Sequence, residues 1–96
     1  MTTEAIHGHC AIIINPAGNV VAQATDFDGA YAAGISRESQ QTYRVRNRVM
    51  RAFAKAHLNQ WLAENVDEYF AIDFFEHASK CGYKMHVFQV GVDHAA

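Results

Sequence analysis

The sequence has little net charge, no long apolar run and only two cysteines, and each shortage excludes a class of protein. A formal net charge of -2 is too small for the global field that accompanies wholesale nucleic-acid or membrane binding. No apolar run approaches the ~18 residues that a membrane span needs, and no basic segment precedes an apolar stretch near the N-terminus. We therefore expect a cytoplasmic protein that does not bind a membrane.

Cysteine and the common catalytic motifs are also scarce. Cys10 and Cys81 are too few for a disulfide framework, and in a reducing cytosol we expect both to be small buried thiols. The chain has no P-loop, no G-x-G-x-x-G and no nucleophile elbow. The sequence therefore predicts a protein that is not an enzyme. A Cys10 or Cys81 thiolate activated by a histidine is the remaining enzymatic alternative.

Two short segments resemble parts of metal sites. In the segment His7-Gly8-His9-Cys10, a strand would direct the two histidines to one face and the cysteine to the other, so alternation works against a third ligand. The segment Asp26-Phe27-Asp28-Gly29 resembles the start of a calcium loop, but Tyr31 stands at the sixth position and Arg37 at the twelfth. The sequence therefore predicts no metal and no other cofactor.

The composition is that of one globular domain whose first elements are strands. A hydrophobic fraction of 50% over 96 residues is enough for a single core. The β-branched run Cys10 to Ile14 stops at Asn15-Pro16-Ala17-Gly18-Asn19, and an extended pattern resumes over Val20 to Thr25. Proline and glycine between two such runs indicate a β-hairpin. The segment Asp26 to Ile35 fits either a loop or a short helical turn.

Two helical segments follow the predicted hairpin. The apolar period favours an amphipathic helix from about Ser36 to Ala63, with Ser36 as its N-cap. A second helix is predicted to begin at Asn65, which Glu68 follows three positions later, and to end at Gly82 with a left-handed cap. The apolar side of the first helix is expected to contain Tyr43, Val49, Met50, Phe53, His57 and Trp61.

A third strand is predicted over Tyr83 to Val90. The simplest fold for the order strand, strand, helix, helix, strand is one α+β domain over residues 1–96. It has a three-stranded, mainly antiparallel sheet with the helices packed on one face. We expect four aromatic residues in the core between helices and sheet: Phe53, Trp61, Phe70 and Phe74.

Positive charge is concentrated on the first predicted helix, which contains six of the eight Lys and Arg residues. Five of them lie within ~40° of a common line when the segment is wound at ~100° per residue. We call these five residues the basic ridge: Arg37, Arg44, Arg48, Arg51 and Lys55. Gln41 and Asn59 are predicted to lie along its edge.

The basic ridge is predicted to bind a partner, with an ordinary solvated helix face as the alternative. The ridge has no interspersed acids for i,i+4 pairing, and its cations gather in the N-terminal half of the helix, where the helix dipole disfavours them. Arginine presents a planar fork of donors that suits phosphate or carboxylate groups. The partner surface is therefore either a nucleic-acid backbone or an acidic patch of a protein.

The remaining charges fall into two further groups. Arg46 projects onto the apolar side of the helix, where either its stem reaches an edge or its guanidinium pairs with Asp73 or Glu76. Half of the ten acids lie in or just before the second helix: Glu64, Asp67, Glu68, Asp73 and Glu76. This separation of charge suits self-association or docking on two sides, whereas capping and solvation of the second helix is the alternative.

In size, single-domain organisation and lack of catalytic motifs, the chain resembles small phage-encoded inhibitors of bacterial defence, the anti-CRISPR proteins among them. The resemblance is one of organisation, so it assigns a role to no residue. It implies a compact protein that occupies a surface of a protein or ribonucleoprotein complex, a role for which an arginine-rich surface is suited. A nucleic-acid-binding module is the alternative function.

Overall fold

The computed structural model describes residues 5–27, 36–58 and 67–93, which form a sheet and two helices. The elements are β1 (Ala5–Ile14), β2 (Val20–Asp26), α1 (Arg37–His57), α2 (Glu68–Lys80) and β3 (Lys84–Asp93). The strands form one antiparallel sheet in the order β2-β1-β3. Both helices pack on the same face of this sheet, which confirms the predicted α+β fold.

A hairpin joins β1 to β2, as the sequence predicted. The Asn15 side chain holds the turn, because its Oδ1 accepts hydrogen bonds from the backbone of Ala17 at 3.0 Å and of Asn19 at 2.9 Å. Gly18 has a φ of 89°, a conformation that glycine adopts at little cost. β1 starts at Ala5 rather than Cys10 because its first residues pair with the end of β3.

Helix α1 begins where its cap was predicted. The Ser36 Oγ accepts a hydrogen bond from the Ser39 backbone at 3.1 Å and thereby satisfies one amide of the first turn. The helix ends at His57, and residues 59–63 of the predicted helix lie outside the described residues. Tyr43 was expected on the apolar side but is exposed. His57 is also exposed, but its ring centroid lies 4.5 Å from that of Phe53, so it does lie on the apolar side.

Helix α2 begins at a different cap from the one predicted. Asp67 is the N-cap, and its Oδ1 accepts a hydrogen bond from the Phe70 backbone at 2.8 Å. The helix therefore starts at Glu68, later than predicted, so the predicted start was wrong. The predicted cap, Asn65, lies outside the described residues. The end of the helix matches the prediction, because Gly82 adopts a φ of 98°.

The core lies between the sheet and α1, with α2 closing one side. Its fully buried members are Ala11, Ile13, Val45, Val49 and Phe53. The Phe53 ring centroid lies 5.4 Å from that of Phe74 and 5.2 Å from that of Tyr83, so both rings contribute to the core. Phe70 is 46% exposed and stacks on the outer side of Phe74, so its predicted core position was wrong.

Two other expectations concern residues near or beyond this core. Trp61 lies outside the described residues. Cys10 is half-buried, whereas Cys81 follows α2 and is exposed, so the prediction of two buried thiols was wrong for Cys81. Within residues 36–58 and 67–93, neither helix is long and apolar enough to cross a membrane.

Candidate partner-binding surface on helix α1

Three residues of the basic ridge lie together on an exposed surface of α1. Arg48, Arg51 and Lys55 line a shallow groove of about 280 Å³ with Ala52 between them. We call this surface the basic groove. Among the described residues that line it there is no acid. The three side chains occupy successive turns of one helix, because their spacing of three and four residues places them on the same face.

Arg44 has a structural role that the helix projection did not reveal. Its Nε donates to the Oδ2 of Asp26 at 2.5 Å, and the two side chains are 22% and 1% exposed. Asp26 is the last residue of β2 and points to the helix-covered face. A buried carboxylate is tolerated only when it is paired and hydrogen-bonded. Arg44 is therefore an anchor between α1 and β2 rather than part of an open ridge.

Arg48 belongs both to this anchor and to the exposed surface. Its Nη1 donates to the Thr25 carbonyl at 2.9 Å and lies 3.6 Å from the Oδ1 of Asp26. The side chain nevertheless remains 51% exposed. The guanidinium is thus held in a fixed position at the mouth of the basic groove, with part of its surface available to a partner.

Gln41 was predicted at the edge of the basic ridge, but the structure buries it. Its side chain is 1% exposed, and its Oε1 lies 2.8 Å from the Nδ1 of His9. An amide oxygen can only accept, so Nδ1 of His9 carries the proton and donates it. Gln41 therefore connects α1 to β1 and is not available to a partner, because this face of the helix turns toward the sheet.

Two residues predicted on or beside the basic ridge have side chains that the structure does not describe. The side chain of Arg37 and the whole of Asn59 lie outside the described residues.

His9 faces the helices opposite Asp26, whereas Cys10 pairs with Thr25 on the other face. Across residues 5–27, 36–58 and 67–93, no three His, Cys, Asp or Glu side chains are grouped to hold a metal ion.

Arg46 lies on the opposite side of α1 from the basic groove. It is exposed and lines a cleft between the two helices with Met50, Phe75 and Glu76. It forms no ion pair with an acid of the described part of the chain. Of the two roles predicted for Arg46, the structure therefore shows the first: its aliphatic stem extends to the edge of the apolar side of α1.

A hydrogen-bonded bridge between the helices was not predicted from the sequence. The Oε1 of Glu68 accepts from the Tyr43 hydroxyl at 2.6 Å and from the Asn47 amide at 3.0 Å. The bond to the Glu68 carboxylate raises the pKa of Tyr43 above its ordinary value, because losing the phenolic proton would break it. Glu68 therefore serves the fold through this bridge, whereas Asp67 serves it as a cap, as the capping alternative proposed.

Neither a protein-family model, nor a curated protein, nor a solved structure matches this chain. The case for a function therefore depends on the geometry of the described residues. That geometry brings Arg48, Arg51 and Lys55 together at the basic groove, pairs Arg44 with Asp26 and buries Gln41.

Proposed function

We propose that the protein is a non-enzymatic binding protein that docks on a protein or ribonucleoprotein complex through the basic groove. The observation that carries this proposal is the row of three cations, Arg48, Arg51 and Lys55, with no described acid among the residues that line the groove. Arg48 is partly compensated by the Asp26 carboxylate. Arg51 and Lys55 form no ion pair with an acid of the described residues, and like charges on successive turns repel one another. An anionic partner surface would relieve this repulsion when it binds.

The fixed position of Arg48 supports the proposal. Its bond to the Thr25 carbonyl and its approach to Asp26 hold the guanidinium in place before any partner arrives. A side chain that is ordered in advance loses less conformational entropy on binding. Arg51 and Lys55, which are exposed beside it, extend the surface along the helix, and guanidinium groups suit carboxylate or phosphate oxygens.

The kind of complex is proposed from the organisation of the chain. A small domain with one basic docking surface resembles the phage-encoded inhibitors of bacterial defence, and we propose a CRISPR effector complex as the partner. Such complexes present both acidic protein surfaces and RNA or DNA backbones. Either surface offers the anionic groups that the basic groove requires.

The proposal is tested by charge reversal in the groove. The tagged protein is used to capture its partner from a bacterial lysate, which mass spectrometry identifies, and the affinity is then measured with the purified partner. Arg51→Glu should weaken binding by about a hundredfold, because it turns attraction into repulsion. Lys80→Glu changes the net charge equally at the end of α2 and should leave the affinity within about twofold.

Salt dependence then distinguishes the two partner surfaces. If the groove contacts a nucleic-acid backbone, log affinity should fall linearly with log salt, by roughly one unit of slope per phosphate neutralised. A protein surface should give a weaker dependence that acts mainly on the association rate. Unchanged binding by a folded Arg51→Glu, Lys55→Glu double variant would refute the proposal, because it would leave the groove as a solvated helix face.

A further inference from the structure

The two outer edges of the sheet differ in how well they are protected. The pairing of β2 with β1 contains a register shift between Ile13 and Ile14. Near the end of β2, the Thr25 carbonyl already accepts a hydrogen bond from Arg48. By contrast, β3 pairs with β1 over ten consecutive residues without a shift. No other described segment pairs with the far side of β3. Alternate backbone groups of this long, regular strand are therefore open to a further strand.

A groove runs beside the beginning of this open edge. It measures about 590 Å³ and is lined by residues 83–87, by Phe75 and Ser79 of α2, and by Arg46 of α1. We call it the edge groove. Phe75, Met85 and Val87 supply its apolar surface. Recognition by strand addition requires backbone groups for hydrogen bonds and pockets for alternate side chains. The edge of β3 supplies the first and the apolar lining of the edge groove supplies the second.

The edge groove has basic side chains and no carboxylate among its described lining residues. The basic side chains are those of Arg46, Lys84 and His86. Met85 pairs with Ile13, so it lies on the helix-covered face, whereas Lys84 and His86 pair with Ile14 and Ile12 on the other face. An added strand would therefore meet a basic side chain on each face, since its own side chains alternate between faces.

We propose that the edge groove binds an extended acidic segment of a partner protein, which adds to β3 as a fourth strand. Backbone hydrogen bonds to β3 would supply affinity, and carboxylates facing Arg46, Lys84 or His86 would supply selectivity. This surface is separate from the basic groove, because Arg46 lies on the opposite side of α1. The inference therefore does not depend on the proposed function.

Charge favours an acidic peptide over a second copy of this chain. A copy that paired antiparallel through the same residues 83–87 would bring Lys84 of each molecule opposite His86 of the other, on one face of the joined sheet. Each Lys84 would then face a basic side chain and would gain no opposite charge across the strand pair. An acidic strand at the same position would instead place opposite charges there.

Fluorescence anisotropy with a labelled peptide tests the proposal. The probe is an acetylated peptide of about eight residues, the length of an ordinary strand, in which valine and glutamate alternate; its control has lysine in place of glutamate. The glutamate peptide should bind and the lysine peptide should not. All glutamates of this peptide lie on one face, which meets Lys84 and His86 while the valines meet the apolar lining. Lys84→Glu should therefore weaken binding about tenfold or more, whereas Arg51→Glu, which changes the charge equally in the basic groove, should change it by less than about twofold.

Amide hydrogen exchange supplies a readout that charge alone would not alter. With the glutamate peptide bound, alternate backbone amides of β3 near Lys84 and Val87 should become protected. Equal binding of the lysine peptide, equal losses in Lys84→Glu and Arg51→Glu, or binding without protection in β3 would each refute the proposal. Concentration-dependent dimerisation of the protein alone, with the same amides protected, would also refute it and would assign the edge to a second copy.

Discussion

Asp26 separates the arginines of α1 that stabilise the fold from those that remain available to a partner. Its carboxylate is buried at the end of β2, receives the Nε–H of Arg44 and lies 3.6 Å from Arg48. A buried carboxylate without such partners would cost several kcal/mol. The residues that look equivalent on a helical projection therefore differ in role, because only some of them face the end of β2.

Arg44→Glu should destabilise the protein strongly. The variant removes the closest cation from Asp26 and places a second carboxylate beside it, which we expect to cost about 3 kcal/mol or more in the free energy of unfolding. Arg51→Glu makes the same charge change on an exposed turn and should cost less than about 0.5 kcal/mol. Urea denaturation with a common m-value measures both; similar midpoints for the two variants would show that Asp26 does not need Arg44.

The sequence could predict the basic residues of α1 but not their separate environments. A helical projection describes one helix by itself, so it placed Arg44 and Gln41 by angle alone. Their burial depends on the register that sets His9 opposite Asp26 under α1. The packing of α1 on this hairpin joins residues 18 and 32 positions apart in the chain, and no local pattern specifies it.

At the scale of the elements, local chemistry predicted the turns better than the start of α2. The hairpin at Asn15 to Asn19 and the end of α2 at Gly82 depend on residues within one turn, and both were predicted correctly. The start of α2 was not, because Glu68 was expected to complete a capping box with Asn65. Its carboxylate instead binds Tyr43 and Asn47 of α1, so contact between the helices overrode the local signal.

The cap of α2 gives a second prediction. Asp67→Ala removes the side-chain acceptor of the Phe70 amide and should lower the free energy of unfolding by about 1 kcal/mol. Asp73→Ala removes an equal charge from an exposed position inside the helix and should change it by less than about 0.5 kcal/mol. Thermal denaturation of the two variants side by side makes the comparison. If Asp73→Ala proves the more harmful, Asp67 is not the N-cap of α2.

The strands are longer than predicted for a related reason. β1 extends back to Ala5 and β3 extends forward to Asp93, and these two residues pair with each other. Gly8 and the flanking histidines weaken the apolar alternation by which a strand is identified in a sequence. Pairing with a neighbouring strand supplies the hydrogen bonds that keep these residues extended, and this gain appears only in the folded sheet.

At the scale of the whole molecule, Phe53 joins all three parts of the fold. It lies on α1, contacts the buried Ile13 side of the sheet, and has the rings of Phe74 and Tyr83 within 5.4 Å. The sequence identified Phe53 and Phe74 as core residues but also included Phe70. The aromatic residues of α2 lie on more than one side of that helix, so composition alone could not show which side faces α1.

The third prediction is that Phe53→Ala will cost about 3 to 5 kcal/mol, the range for truncating a fully buried aromatic residue. This is a large share of the roughly 5 to 15 kcal/mol that stabilises a small domain. Phe70→Ala removes an equally large ring, but one that is 46% exposed, and should cost about 1 kcal/mol. Urea unfolding followed by both circular dichroism and Tyr and Trp fluorescence measures the two costs, and coincident transitions would show that helices and sheet unfold as one unit. A Phe53→Ala variant as stable as Phe70→Ala would show that the core does not centre on Phe53.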